Sequence, residues 1–287
     1  MTLLVLRPGP LTTVQDLGRR GVAHLGVPRA GALDEPAHRA ANRLVGNRAD
    51  AATLETTLGG IAVRAEGAAA LVAVTGAPCP VRVDGRPAAW GAAVLLPAGA
   101  VLEVGAAAAG VRCYLAVRGG FAVAPVLGSR SADLLSGLGP APLRAGDRLP
   151  VGTRYGPPAA ELVPLPAPPR ELVLRLRPGP RADWFTPGAL TTLAAGRYRV
   201  AAASNRVALR TEGPALARAR SGELESEAMV LGAVQVPPDG RPVIFLADHP
   251  TTGGYPVIGV VPPADLPAAA QAGPGTAIRF TVMSAHR

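Results

Sequence analysis

Leu4-Val5-Leu6-Arg7-Pro8-Gly9-Pro10 recurs later in the chain as Leu174-Arg175-Leu176-Arg177-Pro178-Gly179-Pro180, at an offset of 177 − 7 = 170 residues. Each copy reads as a short apolar strand stopped by a Pro-Gly turn. Three further echoes follow in order. Leu54-Glu55-Thr56 matches Leu224-Glu225-Ser226, at 225 − 55 = 170. Leu71-Val72-Ala73-Val74 lies against Val243-Ile244-Phe245-Leu246, at 243 − 71 = 172. Ala98-Gly99-Ala100 falls opposite Pro274-Gly275-Thr276, at 275 − 99 = 176. Ordered echoes at a nearly constant spacing indicate a duplication, and the drift is what insertions in surface loops produce. The chain therefore reads as two related β-rich domains. Glu55 and Glu225 are equivalent in this scheme, which favours a structural role common to both.

Between the echoes the pattern is strand after strand. Val81-Arg82-Val83-Asp84-Gly85-Arg86 alternates and ends in Asp-Gly, a strong hairpin signal. Val94-Leu95-Leu96 and Val101-Leu102-Glu103-Val104 flank a Pro-Ala-Gly turn, and Arg112 to Val117 is another strand. The 35 glycines and 31 prolines fit many short strands rather than long helices. One helix stands out. Asp34 reads as its N-cap with Pro36 in the first turn, and it runs from Ala37 to Val45 before Gly46-Asn47. A second helical turn is expected near Asp50 to Thr53. Residues 153 to 170 carry Pro157, Pro158, Pro164, Pro166, Pro168 and Pro169 without periodicity, which marks an extended linker. The expected domains are 1–155 and 171–287, with 156–170 between them. Such strands and turns suggest a barrel-like or sandwich fold for each half.

Composition excludes several functions. All 29 basic residues are Arg and none is Lys. That removes a Schiff-base mechanism and a Walker A loop. It also removes covalent biotin or lipoate, both of which are carried on Lys. The net charge is +9, but the arginines are dispersed and aromatics make up 3%. No nucleic-acid partner is expected from that pattern. Four histidines without ligand spacing and two distant cysteines, Cys79 and Cys113, give no metal site and no disulfide framework. His38 is expected to be solvated on its helix, and His286 to sit at a frayed end. The first residues hold too few apolar positions before Arg7 for a signal peptide, and no stretch is long enough to span a membrane. A soluble cytoplasmic protein is the expectation.

Val243 to Ala247 is an apolar run that delivers Asp248-His249-Pro250-Thr251-Thr252-Gly253-Gly254-Tyr255 without a gap. Polar groups at the end of a buried strand are a common way to build a small-molecule site. An ordinary turn capped by the threonines is the alternative. The first copy of the repeat has no Thr-Thr-Gly-Gly-Tyr, which favours function. Gln15, Asp16 and Arg19 form a second polar segment between glycine-punctuated turns, with a local Asp16–Arg19 pair as the alternative. Arg118 and Arg130 adjoin glycine-rich turns suited to anions; exposed salt bridges are the alternative. No nucleophile elbow surrounds Ser226, so a Ser-His-Asp hydrolase is not expected.

Gly9 to Arg19 resembles the opening of the allophanate hydrolase subunit 2 family. So do Gly31 to Asp34, Ala41 to Asn47, Ala116 to Gly120, Leu127 to Ser131 and Asp248 to Pro256. The family includes 5-oxoprolinase subunits, an antagonist of a sporulation-kinase inhibitor and the carboxyltransferase domain of urea carboxylase. The resemblance implies a mainly β fold of two tandem cyclophilin-like β-barrel domains with a few short helices. It implies a B-type subunit of the allophanate hydrolase subunit 1 family and a lactam-binding A subunit as partners. The implied activity is ATP-dependent opening of 5-oxoproline to glutamate by the complex, with ATP not bound through a P-loop here. A regulatory partner of the B-type subunit, and a carboxyltransferase using biotin on another chain, are the alternatives. The implied catalytic residues are Asp16, Asp248 and Thr251. The implied substrate-binding residues are Gln15, Arg19, Arg118, Arg130, Gln235, Thr252, Gly253, Gly254 and Tyr255, in a site expected between the two domains. Three departures stand out. Asn205 replaces an Asp, Ala228 a Gly, and His249-Pro250 an Arg-Gln pair. The first and last are expected to remove side chains that face a substrate.

Overall fold

A computed structural model describes residues 1–283 apart from Leu165, Pro169 and Glu223. His286, and Pro169 of the proline-rich stretch, lie outside the described residues. The chain forms two compact units. The first holds residues 1–19, 30–133 and 137–168; the second holds 20–29, 134–136 and 169–287.

The first unit contains β1 (Thr2–Arg7), β2 (Leu11–Gln15), α1 (Glu35–Leu44), β3 (Thr53–Thr57), β4 (Ala62–Glu66) and β5 (Ala70–Gly76). It continues with β6 (Val81–Val83), β7 (Arg86–Ala88), β8 (Ala93–Leu96), β9 (Val101–Val104), β10 (Arg112–Val117) and β11 (Arg148–Pro150). One sheet runs β11-β1-β4-β9-β6-β7, the other β2-β3-β10-β5-β8. Their facing side chains, among them Leu3, Val5, Val63, Leu102, Leu54, Val72, Val74 and Leu115, form one buried cluster. The outer face of the five-stranded sheet is covered by α1, whose Ala37, Ala40, Ala41 and Leu44 pack on Ala73, Tyr114 and Ala116. With both faces covered, every residue of β10 is buried, so it reads as a continuous apolar run rather than an alternating one.

Local signals resolve as the chemistry requires. The Asp34 carboxylate accepts from Ala37 N at 3.0 Å and caps α1. Asp84 and Gly85 both take positive φ, 46° and 75°, and join β6 to β7 in a two-residue hairpin. The strands flanking the Pro-Ala-Gly turn go to different sheets: β8 pairs with β5 and β9 with β4 and β6. No helical turn follows α1; Asp50 lies in a turn and Thr53 opens β3. The proline-rich stretch packs along the first unit, with Gly156 N on Gly46 O, Ala159 N on Arg43 O and Val163 N on Gly91 O.

The second unit contains β12 (Glu171–Pro178), α2 (Pro187–Ala195), β13 (Tyr198–Val200), β14 (Ala208–Glu212), β15 (Glu227–Ala228) and β16 (Ala233–Gln235). It ends with β17 (Val243–Phe245), β18 (Thr252–Gly253), β19 (Val257–Val260), α3 (Leu266–Ala270) and β20 (Ala277–Val282). Seven strands close a barrel in the order β12-β19-β16-β17-β14-β13-β20, sealed by parallel pairing of β20 with β12. Alternation is clear in β12, where Leu172, Leu174 and Leu176 are buried and their neighbours exposed. The fold is mainly β with a few short helices. Among the described residues no helix is long and apolar enough to cross a membrane.

Two expectations change. Glu55 is buried in β3 and accepts from Leu33 N and from the Tyr114 hydroxyl at 2.7 Å, whereas Glu225 is exposed outside any strand. The two do not share a role, because the segment at 224–226 does not enter the barrel. His38 is fully buried rather than solvated. Its Nε2 meets Ala49 O at 3.1 Å, and its Nδ1 meets Thr53 Oγ1 at 2.8 Å. The helix turns this side toward β3, which the 3.6 periodicity alone does not announce.

Burial lowers the His38 pKa from 6.5 to about 4; the Ala49 carbonyl, Asp16 and Glu55 pull it up and Arg39 pulls it down. The folded state needs the neutral ring, so this stability is present above the unfolded pKa and is lost as pH falls toward 4. Between pH 7 and 5 the loss from this one group is about 2 kcal/mol. Urea unfolding across that range should show this slope in the native chain and a shallower one in His38→Gln. Equal slopes would show that His38 does not carry it.

Candidate functional site

In the second unit, β17 is buried along its length and leads directly to Asp248, itself 0% exposed. The Asp248 carboxylate receives the Arg206 guanidinium as a fork, Nε to Oδ2 and Nη2 to Oδ1, both at 2.9 Å. Leu134 N approaches Oδ2 at 3.4 Å. Asp248 N also donates to Arg206 O, so backbone and side chain lock the same pair of residues. A charge pair buried this deeply persists only with such geometry, and a carboxylate so committed is a poor base. Arg206 stands out in the sequence only as a neighbour of Asn205; no local signal marks it as the partner of Asp248. Asn205 itself accepts from Val207 N at 2.8 Å and Ala208 N at 3.3 Å through Oδ1. It closes a turn, a task that Asp performs equally well, so the replacement empties no substrate-facing position.

His249 follows. Its Nδ1 lies 2.7 Å from Pro250 O, and a carbonyl can only accept, so Nδ1 carries the proton and the neutral ring keeps its lone pair on Nε2. The ring stacks on Phe245 at 5.8 Å. Burial holds its pKa below the ordinary value; the Pro250 carbonyl and Asp248 oppose that and Arg29 adds to it. Thr251 O accepts Met229 N, and Thr252 and Gly253 pair with Ala228 and Glu227 as a two-stranded ribbon. Gln235 lies beneath, its Nε2 donating to Tyr255 O at 3.0 Å. Neither glycine takes positive φ. They are small because a Cβ on Gly253 would stand 2.7 Å from Gln235 Nε2, and one on Gly254 3.1 Å from Leu224 O. The groups this loop presents outward are the side chains of Thr252 and Tyr255, both exposed. Glu227, paired with Arg181, joins the ribbon from outside the expected set.

In the first unit, Asp16 is the centre of a loop rather than a surface acid. Its Oδ1 accepts from Ser129 Oγ and Ser131 Oγ at 2.6 Å and Gly18 N at 2.8 Å; its Oδ2 accepts from Arg130 N at 2.6 Å. Asp16 N donates in turn to Ser131 Oγ. Arg19 is 2% exposed and points its guanidinium at the carbonyls of Val126 and Ser131. Asp16 and Arg19 thus hold the 126–131 loop from two sides. Gln15 donates to Thr13 Oγ1 and Ala132 O; its buried Oε1 has no partner among the described residues.

The loop so held positions Arg130, whose Nε binds Val123 O at 2.8 Å. Arg130 lines a cleft of about 710 Å³ with Arg48, Asp50, Gly119, Gly120, Thr153 and Arg154. Arg48 forks onto Asp50 at 3.0 Å and holds that carboxyl below its usual range, against burial and with help from Arg130. Gly119 forms part of the wall with φ of 96°, and a Cβ there would collide with Gly152 O. Arg118 turns to a smaller cleft of about 220 Å³, lying 4.3 Å over the Tyr155 ring with Nη2 on Gly156 O. Three arginines against one carboxylate make the larger cleft suited to an anion.

Residues 25–282 match the model of the carboxyltransferase domain, subdomain A and B. The chain belongs to this family. This carboxyltransferase-domain protein is 39% identical to the C-type subunit of 5-oxoprolinase from Escherichia coli, over 98% of its own length and 91% of that protein. It superposes on the crystal structure of TTHA0988 with a TM-score of 0.89 and 40% identity, covering 98% of this chain and 56% of that one. On the urea amidolyase of K. lactis the TM-score is 0.91 at 29% identity, with 99% of this chain covered and 19% of that protein. The chain thus spans about half or less of the solved structures it matches.

If the Arg206–Asp248 fork holds the ribbon, Asp248→Asn leaves a buried guanidinium without its counter-charge. Such a loss costs about 3–5 kcal/mol, so thermal melting should fall markedly. Thr251→Val is nearly isosteric and should leave it within about 0.5 kcal/mol of the parent. Equal melting of all three proteins would show that the fork does not hold the ribbon.

Proposed function

We propose that this chain is the C-type subunit of a 5-oxoprolinase complex that opens the lactam of 5-oxoproline to glutamate at the expense of ATP. The observation that carries the reading is length. The chain is alike, end to end, to a free-standing 5-oxoprolinase subunit and to only a small part of an amidolyase. In this reading the chain works in the cytoplasm with a B-type subunit and a lactam-binding A subunit, one of which binds the nucleotide. The lack of Lys and of a phosphate-binding loop here supports that division.

The carboxylate of the substrate, or a phosphoryl group on its activated amide, meets Arg130 with Arg48 and Arg154 in the first unit's cleft. Thr252 and Tyr255 offer hydroxyls from the second unit. Asp16 and Asp248 act as positioning residues, and His249 Nε2 is the proton acceptor of the ribbon. A second reading, carboxyl transfer with biotin on another chain, is favoured by the match to the carboxyltransferase-domain model and the K. lactis structure.

Reconstitution with the products of neighbouring genes tests this. The complex should release glutamate only with ATP and 5-oxoproline, and the chain alone should release none. Arg130→Gln should weaken apparent substrate binding about 10- to 100-fold, the loss of one charge-assisted contact. Avidin-sensitive turnover would support the second reading. ATP hydrolysis by the chain alone, or glutamate release undiminished without it, would contradict the first.

A further inference from the structure

The only two cysteines of the chain stand 34 residues apart in sequence, yet their Sγ atoms lie 3.8 Å from each other. Cys113 sits inside β10, paired on one side with Thr56 and on the other with Gly76. Cys79 lies between Pro78 and Pro80. Ala108 N binds Pro78 O at 2.8 Å and Gly105 N binds Pro80 O at 2.7 Å, so the backbone is fixed on both sides of it. Cys113 is fully buried and Cys79 only partly, so one thiol of the pair is open to a small reagent.

We propose that Cys79 and Cys113 are an oxidisable dithiol that a hydroperoxide converts to an intramolecular disulfide. The more open Cys79 attacks the peroxide oxygen as its thiolate. The O–O bond breaks, one oxygen leaves as water, and Cys79 becomes a sulfenic acid. The Cys113 sulfur then attacks Cys79 Sγ and expels the hydroxyl as a second water. Two electrons pass from the two thiols to one peroxide, and a thiol reductant reverses the change. The gap must close from 3.8 Å to the ~2.05 Å of a disulfide, a distance that rotation of the side chains supplies while both backbones stay in place. The first step is helped by the contact itself: the S–H of Cys113 donates to Cys79 and holds its pKa below the usual thiol range, although partial burial opposes this. Cys113, with its neighbour and burial both opposing ionisation, is the resolving partner. The bond staples the segment after β5 to the middle of β10 and shortens the unfolded chain's free loop, so the oxidised form is the more stable.

The test is made on the purified full chain with dilute hydrogen peroxide, followed by thiol titration and mass spectrometry. Oxidation should remove both titratable thiols, lower the intact mass by about two hydrogens and give a cross-linked Cys79–Cys113 peptide. Dithiothreitol should restore the starting state, and melting should rise in the oxidised form. Cys113→Ser should leave Cys79 to accumulate as sulfenic acid, trapped by dimedone, and Cys79→Ser should leave Cys113 unreacted under the same dose. Persistent titration of both thiols, or addition of oxygen without the cross-linked peptide, would overturn the proposal. None of these readouts depends on the activity proposed above.

Discussion

A carboxylate taken out of water must find donors for both oxygens or give up its charge. This protein meets that constraint twice, once in each unit, and both loops with the composition of a reactive site are built on it. Asp16 gathers two serine hydroxyls and two backbone amides, and so fixes the loop that carries Arg130. Asp248 gathers the Arg206 fork, and so fixes the turn from β17 into the Thr-Thr-Gly-Gly ribbon. In each case the acid is the anchor and the groups left facing outward are its neighbours.

That division changes how such motifs are read. An acid beside glycines and hydroxyls has the composition of a catalytic loop, but the same composition serves a saturated turn. The difference lies in where the donors are. The serines that satisfy Asp16 stand 113 and 115 residues further along the chain. The glycines behave similarly. Gly253 and Gly254 are small because Gln235 and a carbonyl press against them, not because the backbone needs left-handed dihedrals there.

What the sequence made legible was what depends on near neighbours. Asp34 capping α1, Asp84-Gly85 turning a hairpin, the alternation of β12 and the unbroken apolar run of β10 all follow from residues within a few positions. What it hid depends on distant partners. His38 looked solvated because its partners, Ala49 and Thr53, are set by the approach of β3 to the helix. The strands flanking the turn at Pro97-Ala98-Gly99 looked like a hairpin pair but serve opposite sheets. The thiols looked remote because β10 returns beside β5 only in the folded unit. Glu225 looked equivalent to Glu55 because spacing was the only guide, and spacing does not say whether a segment enters a barrel.

The measurement that tests the anchoring role most directly is thermal unfolding of Asp16→Asn, set beside turnover per folded molecule in the reconstituted complex. An amide in place of the carboxylate brings its own N–H groups among donors that already converge there and loses the charge they satisfy. The melting temperature should fall by several degrees, as a loss of about 1–3 kcal/mol implies, with turnover per folded molecule largely kept. A variant that melts with the parent but has lost turnover would contradict anchoring, and would make Asp16 a catalytic residue instead.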